Sequence, residues 1–205
     1  MLKAFRLFIF FGKNLVGCIN KPYITYRKLT DEKTDPWQIL YIFILVVGYF
    51  TFASLIKTGM RNPFLLTIKF NSLFLAFIIG FLLTILLFVL AGKIVGSKVQ
   101  PKTIFVLWSY SLLPTIIWFF VTSALYVILP PPRTLTFLGK IYSVIYVAFS
   151  MALLWWKLIL YYLTLRFGLR IDLFKIMLVS ALVMPCLVGY SLLMYRMGIF
   201  RIPFI

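Results

Sequence analysis

Lys157 is the residue of this sequence with the clearest chemical potential, because it lies inside a long apolar run from about Ile141 to Leu165. Ser143 and Ser150 precede it at intervals of seven residues and Tyr161 follows four residues later, so a helix places all four on one face. A lysine inside a bilayer is costly and is by default a functional hypothesis. We expect this face to dock against another helix, where Lys157 meets a carboxylate of a partner subunit or a lipid phosphate. The alternatives are a side chain that extends toward the headgroups and a contact with a substrate.

A second interruption of an apolar run contains a proline and three hydroxyl residues: Ser109, Ser111, Pro114 and Thr115. Pro114 cannot donate a hydrogen bond to the carbonyl of Tyr110, and the nearby hydroxyls can satisfy backbone groups that are freed. We therefore expect a kink at Pro114. It acts either as a packing kink or as a hinge beside a ligand-lined notch.

Other residues that perform acid–base, nucleophilic or metal chemistry are scarce. Histidine is absent, and the four carboxylates are Asp31, Glu32, Asp35 and Asp172. Cys18 and Cys186 have no metal-ligand spacing and are expected to be free thiols. This inventory excludes most enzyme classes and predicts no catalytic residues, no metal and no cofactor.

The composition requires that these residues be positioned by membrane helices. Of 205 residues, 63% are hydrophobic and 12% are charged, whereas an ordinary soluble domain has about 25% charged residues. Lysine and arginine number 21 against 4 acidic residues, which gives a net charge of +17. Because the basic residues punctuate apolar runs, the charge indicates anionic phospholipid as a partner and argues against nucleic acid.

Five apolar runs are long enough to cross a bilayer core, which needs about 20 helical residues. They cover about Trp37–Ile56, Ser72–Ala91, Ile104–Leu129, Ile141–Leu165 and Phe174–Tyr195. The predicted fold class is all-α, a polytopic membrane bundle of five transmembrane helices with an N-terminal interfacial amphipathic helix. Residues 1–36 form the interfacial segment and residues 37–205 the membrane domain.

Basic residues in the loops predict the orientation of the spans. On the N-terminal side there are about 13, seven between residues 3 and 33, three between 93 and 102, and three between 166 and 175; the opposite side has about 7. The N-terminus is therefore expected in the cytoplasm and the C-terminus, Phe204–Ile205, in the periplasm, which suits a bacterial inner (plasma) membrane.

Residues 2–17 have the pattern of a helix that lies in the membrane interface. Lys3, Arg6 and Lys13 fall on one side of a helix and aromatic residues on the other, and Trp37 suits the headgroup belt. The competing interpretation is a lipoprotein signal, because Leu15-Val16-Gly17-Cys18 has the form of a lipobox. Its apolar stretch is shorter than the 7–15 residues typical of a signal peptide, which favours the interfacial helix.

Three stretches of the sequence resemble the Yip-domain family of Ypt/Rab-interacting membrane proteins, in its prokaryotic form. They are Lys21-Pro22-Tyr23-Ile24-Thr25-Tyr26-Arg27-Lys28-Leu29, Trp108-Ser109-Tyr110-Ser111-Leu112-Leu113-Pro114, and Trp155-Trp156-Lys157-Leu158 continuing to Leu165-Arg166-Phe167-Gly168-Leu169. The resemblance implies five spans with a cytoplasmic N-terminus. The Asp-Leu-Tyr-Gly-Pro motif of eukaryotic members is missing here, so the resemblance does not extend to Rab-type GTPase binding.

These observations favour a non-enzymatic membrane scaffold or accessory subunit that organises other membrane protein subunits or the bilayer. Its means would be helix contacts and anionic lipid. The rival hypothesis is a component of a solute or lipid transporter in which the third and fourth spans line the path. A membrane-embedded enzyme acting on lipids is disfavoured by the small catalytic inventory.

Overall fold

A computed structural model describes residues 2–31, 36–58, 62–97, 100–128 and 137–199 of the chain. In these ranges the chain is helical, with short connections. The helices are α1 (Leu2–Asn20), α2 (Pro22–Asp31), a 3₁₀ turn (Pro36–Gln38), α3 (Ile39–Thr58), α4 (Pro63–Ile94), α5 (Pro101–Ser111), α6 (Leu113–Ile128), α7 (Phe137–Gly168) and α8 (Leu173–Arg196).

Five helical segments of the described chain are long and apolar enough to cross a membrane. They are Ile39–Ile56, Pro63–Ile94, Pro101–Leu125, Gly139–Gly168 and Leu173–Arg196, and the third of them comprises α5 and most of α6. The predicted all-α fold with five spans is confirmed. The chain is an integral membrane protein.

The second span begins at Pro63, earlier than the apolar pattern predicts. Lys69 and Asn71 lower the hydropathy of this stretch, so the apolar run in the sequence starts at about Ser72. The helix nevertheless starts before them because Asn62 caps it, accepting a hydrogen bond from the Leu65 N–H at 3.4 Å. A proline in the first turn needs no N–H partner there and has the dihedral angle of a helix.

The bundle is organised around α4, which packs against α3 on one side and α8 on another. Aromatic rings fill the α3–α4–α5 contact: Phe43 lies edge-on to Phe81 at 5.5 Å, and Phe81 edge-on to Phe105 at the same distance. At the α4–α8 contact the hydroxyl of Tyr190 donates to the carbonyl of Ala76 at 2.6 Å. These contacts fix the three helices against which α5 and α7 are then placed.

The α1 helix has three faces, each facing a different environment. At about 100° per residue, its buried residues fall in one sector, Phe11 and Cys18. Exposed apolar residues occupy a second sector, Phe5, Phe8, Ile9, Val16 and Ile19. Exposed basic residues occupy the third, Arg6 and Lys13. A helix that packs on a bundle while it lies in the headgroup region needs one protein face, one lipid face and one aqueous face.

The α1–α2 pair covers the end of the bundle at which α7 ends. The rings of Tyr23 in α2 and Phe167 in α7 lie 5.1 Å apart. The Tyr26 hydroxyl, fully buried, donates to the carbonyl of Leu107 at 3.2 Å, and the indole N–H of Trp156 donates to the carbonyl of Cys18 at 3.0 Å. The two N-terminal helices are thereby hydrogen-bonded to the third and fourth spans.

Candidate functional site at Lys157

The third span is broken at Leu112, between α5 and α6. Pro114 is the second residue of α6 and removes the N–H that would bond to the carbonyl of Tyr110. The chain closes the α5 end with a tighter bond, Leu112 N–H to the Ser109 carbonyl at 3.1 Å, and the Ser111 hydroxyl donates to the Trp108 carbonyl at 2.8 Å. The structure therefore has a helix interruption where the sequence predicts a kink, whereas motion at Pro114 stays a prediction.

The side chain of Lys157 reaches across from α7 to this break. Its Nζ donates to the carbonyl oxygen of Ser111 at 2.8 Å and lies 4.5 Å from the centre of the Trp108 ring. The C-terminal carbonyls of a helix carry partial negative charge and lack partners in their own helix. The ammonium therefore neutralises the end of α5 inside the membrane, and the indole ring adds a cation–π contact.

The polar face predicted on the fourth span meets other helices of the same chain. Ser150 Oγ accepts a hydrogen bond from the indole N–H of Trp118 at 2.8 Å, and the Tyr161 hydroxyl donates to Ser180 Oγ at 3.0 Å. Ser143 instead donates to the carbonyl of Gly139 in its own helix at 2.9 Å. Contact of this face with a partner subunit or a lipid phosphate stays a prediction.

Two clefts meet at Lys157. The inner one, about 60 Å³, lies between α4, α5 and α8, and its lining includes Thr84, Trp108, Tyr190 and Lys157. The outer one, about 280 Å³, lies between α6 and α7. Lys157 is half-buried and lines both clefts, so its side chain lies where the two clefts approach each other.

The predicted interfacial anchors lie at the α1 end of the bundle. Arg6 and Lys13 are exposed on α1, and Trp37 is 61% exposed at the start of the first span. The guanidinium of Arg6 lies 5.5 Å from the centre of the Phe10 ring. The side chain of Lys3 lies outside the described residues, as do Glu32, Asp35 and the C-terminal Phe204–Ile205.

A buried amide that sequence reasoning missed links α1 to the third span. Gln38, 7% exposed, accepts from the Asn14 amide at 2.8 Å and from the Tyr110 hydroxyl at 3.0 Å, both at Oε1. A polar residue beside Trp37 at the entrance of an apolar run was the available signal. This network ties the interfacial helix to the helix that Lys157 caps.

Cys18 is enclosed by the fold and has no exposed surface. Burial raises the pKa of its thiol to about 12, so it is protonated and unreactive at neutral pH. Acylation requires a thiol that the modifying enzyme can reach, and the fold encloses this one. The position of Cys18 thus favours the interfacial-helix interpretation over the lipobox interpretation.

The three stretches that carry the family resemblance are in contact with one another. Tyr26 of the first bonds to the backbone beside the second, and Lys157 of the third bonds to Ser111 of the second. Comparison with protein families gives a match to the Yip1 domain over residues 16–195. The chain belongs to the Yip1 domain family.

The Yip1 domain match extends from within α1 to the end region of α8 and so covers most of the chain. It confirms the family predicted from the three stretches. No curated protein and no solved structure matches the chain.

Proposed function

We propose that this chain is a non-enzymatic membrane scaffold or accessory subunit, which organises partner subunits and the bilayer through helix contacts and anionic lipid. The main support is the exposure of the fourth span. In its most apolar stretch 6% of the residues are buried, whereas the figure for the third span is 61%. Its outer face is apolar, with Val144 70% and Trp155 62% exposed. Where a span packs on few neighbours, the rest of its surface is open to other helices and to lipid.

The contact with anionic lipid is proposed for α1. Its exposed apolar face enters the interface, while Arg6 and Lys13 lie at the level of the headgroups. Each basic residue near an anionic surface contributes about 1 kcal/mol of attraction. Removing both charges is expected to weaken binding of anionic lipid without affecting the helix contacts of α7.

Co-purification tests the scaffold role. The full chain is extracted in a gentle detergent and its stoichiometric partners are identified by mass spectrometry. Ala152→Trp changes the exposed face of α7 and is expected to lose the partner. Ile79→Trp changes a residue of α4 that is 48% exposed, and this variant is expected to keep the partner. Equal retention of partners by both variants would refute the assignment of the contact to α7.

The proposed location is the bacterial inner membrane, with the N-terminus cytoplasmic and the C-terminus periplasmic. The support is the excess of basic residues at the end of the bundle that carries α1 and α2. In this orientation the exposed basic face of α1 meets the cytoplasmic leaflet.

The second candidate function is that of a transporter component, favoured by the broken third span and the two clefts that meet at its break. In many transporters, interrupted helices place their ends at a central binding site. Solute or lipid flux in vesicles reconstituted with the purified chain tests this candidate. Flux that is abolished by Lys157→Met would favour it over the scaffold role.

A further inference from the structure

The ammonium of Lys157 has binding capacity that the described residues do not use. An ammonium carries three N–H donors. The structure provides one carbonyl acceptor, Ser111 O, and the face of the Trp108 ring. All four carboxylates of the chain lie outside the five spans. Among the residues that the structure describes, Lys157 therefore has no anionic partner.

The groove between α6 and α7 has Lys157 among the residues that line it. Met151 and Leu154 line it and are 48% and 50% exposed, so the groove opens toward lipid. Ser150 also lines it and accepts a hydrogen bond from Trp118, which leaves the hydroxyl proton of Ser150 able to donate. The groove thus has an apolar wall, and a cation and a hydroxyl at its base.

The first turn of α6 borders the same groove. Pro114 and Thr115 belong to this turn and line the groove together with Lys157. The end of α5 directly precedes this turn, so the opposite partial charges of the two helix ends largely cancel. The Lys157 ammonium therefore supplies the charge that selects the ligand.

The geometry points to a binding site for the carboxylate of a single-chain amphiphile, such as a long-chain fatty acid, in the groove between α6 and α7. The carboxylate pairs with Lys157 and accepts a hydrogen bond from Ser150, while the chain lies along Leu154. The inference goes beyond the lipid contact proposed for α1, because it concerns a different ligand at a different place in the bundle.

Depth favours a carboxylate over a phospholipid headgroup. Lys157 is eleven residues from Gly168, the end of α7, which corresponds to about 16 Å along a helix. A carboxyl group can enter an apolar layer as the neutral acid, whereas a phosphodiester stays ionised and its transfer is far more costly. The site is therefore assigned to an anion that can reach it in neutral form.

Quenching of tryptophan fluorescence tests the proposal on the purified full chain in a neutral detergent. The probe is dibromostearate, and its methyl ester is the matched probe without a carboxylate. Because Trp118 lines the groove and Trp108 contacts Lys157, bound bromine atoms quench nearby indoles. The acid is expected to half-saturate at a concentration about tenfold or more below that of the ester, since a charge-assisted bond is lost in the ester.

Lys157→Met is expected to abolish the difference between the acid and the ester, whereas Lys102→Met, at an exposed position of α5, leaves it unchanged. Leu154→Phe keeps the ammonium and narrows the mouth of the groove from the lipid side. Leu154→Phe is expected to weaken binding of the acid. If Lys157→Met fails to fold, this second variant tests whether the acid binds in the groove.

Equal binding of acid and ester by the wild type would overturn the proposal, as would a preference for the acid that survives both variants. Brominated phosphatidylglycerol that binds more tightly than the acid, in a manner dependent on Lys157, would assign the site to a lipid phosphate instead. Loss of a co-purifying subunit in Lys157→Met, with no preference for the acid in the wild type, would assign the carboxylate to a partner helix. That last result would leave the scaffold function standing.

Discussion

At the scale of single residues, Lys157 is explained by the backbone group that it contacts. A lysine placed in an apolar helix must find an acceptor, and the nearest one is a carbonyl made available by the break at Leu112. Pro114 and Lys157 are thus two parts of one arrangement, in which the first opens the helix and the second neutralises its end. The same bond positions the ammonium at the groove.

Replacement of Lys157 by methionine is expected to destabilise the bundle by about 1–2 kcal/mol, the upper range for a hydrogen bond between membrane helices. The insertion cost of the charge has little influence on this difference, since α7 stays in the bilayer whether or not the helices are packed. Thermal unfolding followed by intrinsic fluorescence measures it. A melting temperature equal to that of the wild type would contradict the capping role.

Cys18 illustrates how burial controls reactivity. Burial raises the pKa of its thiol to about 12, so at pH 8 its thiolate fraction is far below that of an exposed cysteine. In a Cys186→Ser background, maleimide is expected to leave Cys18 unlabelled until sodium dodecyl sulfate is added. As the pH rises toward 12, labelling of the native protein is expected to increase.

The control for this labelling is a cysteine at the neighbouring exposed position, Ile19→Cys in a cysteine-free background; Ile19 is 51% exposed. It is expected to react rapidly at pH 8 without denaturant. Fast labelling of native Cys18 at this pH would show that α1 does not pack as described.

At the scale of helices, close approach of α4 and α8 determines where the inner cleft can lie. Gly80 allows the ring of Tyr190 to reach α4, and the Tyr190 hydroxyl then bonds to the Ala76 carbonyl. Pro185 lies inside α8 and removes one backbone donor in the middle of this span. Small and helix-breaking residues in these spans therefore shape the wall opposite Lys157.

Gly80→Ala is expected to destabilise the protein by about 1–3 kcal/mol, because the added Cβ would lie 2.8 Å from Tyr190 Cε1 and displace the ring. Gly189→Ala, in α8, is the matched control, since a Cβ there meets nothing within 4 Å. The control is expected to be neutral or slightly stabilising because alanine favours helix. Similar melting temperatures for both variants would rule out close packing at Gly80.

At the scale of the whole molecule, charge is distributed unequally between the two ends of the bundle. By the order of the spans, the loops on the N-terminal side contain about 13 of the 21 basic residues. An excess of lysine and arginine in short loops retains those loops in the cytoplasm. The proposed orientation therefore places the proposed lipid contact of α1 at the cytoplasmic leaflet.

The orientation is tested with reporter fusions after Ile205. Alkaline phosphatase is expected to be active there and a fluorescent protein dark, because the C-terminus is proposed to be periplasmic. Fusions within residues 59–61, on the same proposed side, serve as an internal control. An inactive phosphatase combined with a fluorescent C-terminal fusion would reverse the assignment.

The sequence by itself determined the membrane class, the five spans and the family. Hydropathy accumulates over some 20 residues, so no single contact can alter it, and the three family stretches are local in sequence. It also identified Lys157 and Pro114 as exceptional, because a charge or a proline in an apolar run is recognisable without a structure. The start of the second span was harder to predict from the sequence, because the cap at Asn62 starts the helix before the polar residues that interrupt the apolar run.

The tertiary structure alone decided what these residues contact. The bond from Lys157 to Ser111 joins positions 46 residues apart, and the bonds of Gln38 join α1 to α5 across 24 and 72 residues. Helical periodicity places residues on a face but does not specify which helix that face meets. The partner depends on how the five spans pack, and that packing depends on all of their side chains together. The sequence shows that the spans contain no carboxylate, but it does not show that the lysine contacts a backbone carbonyl instead.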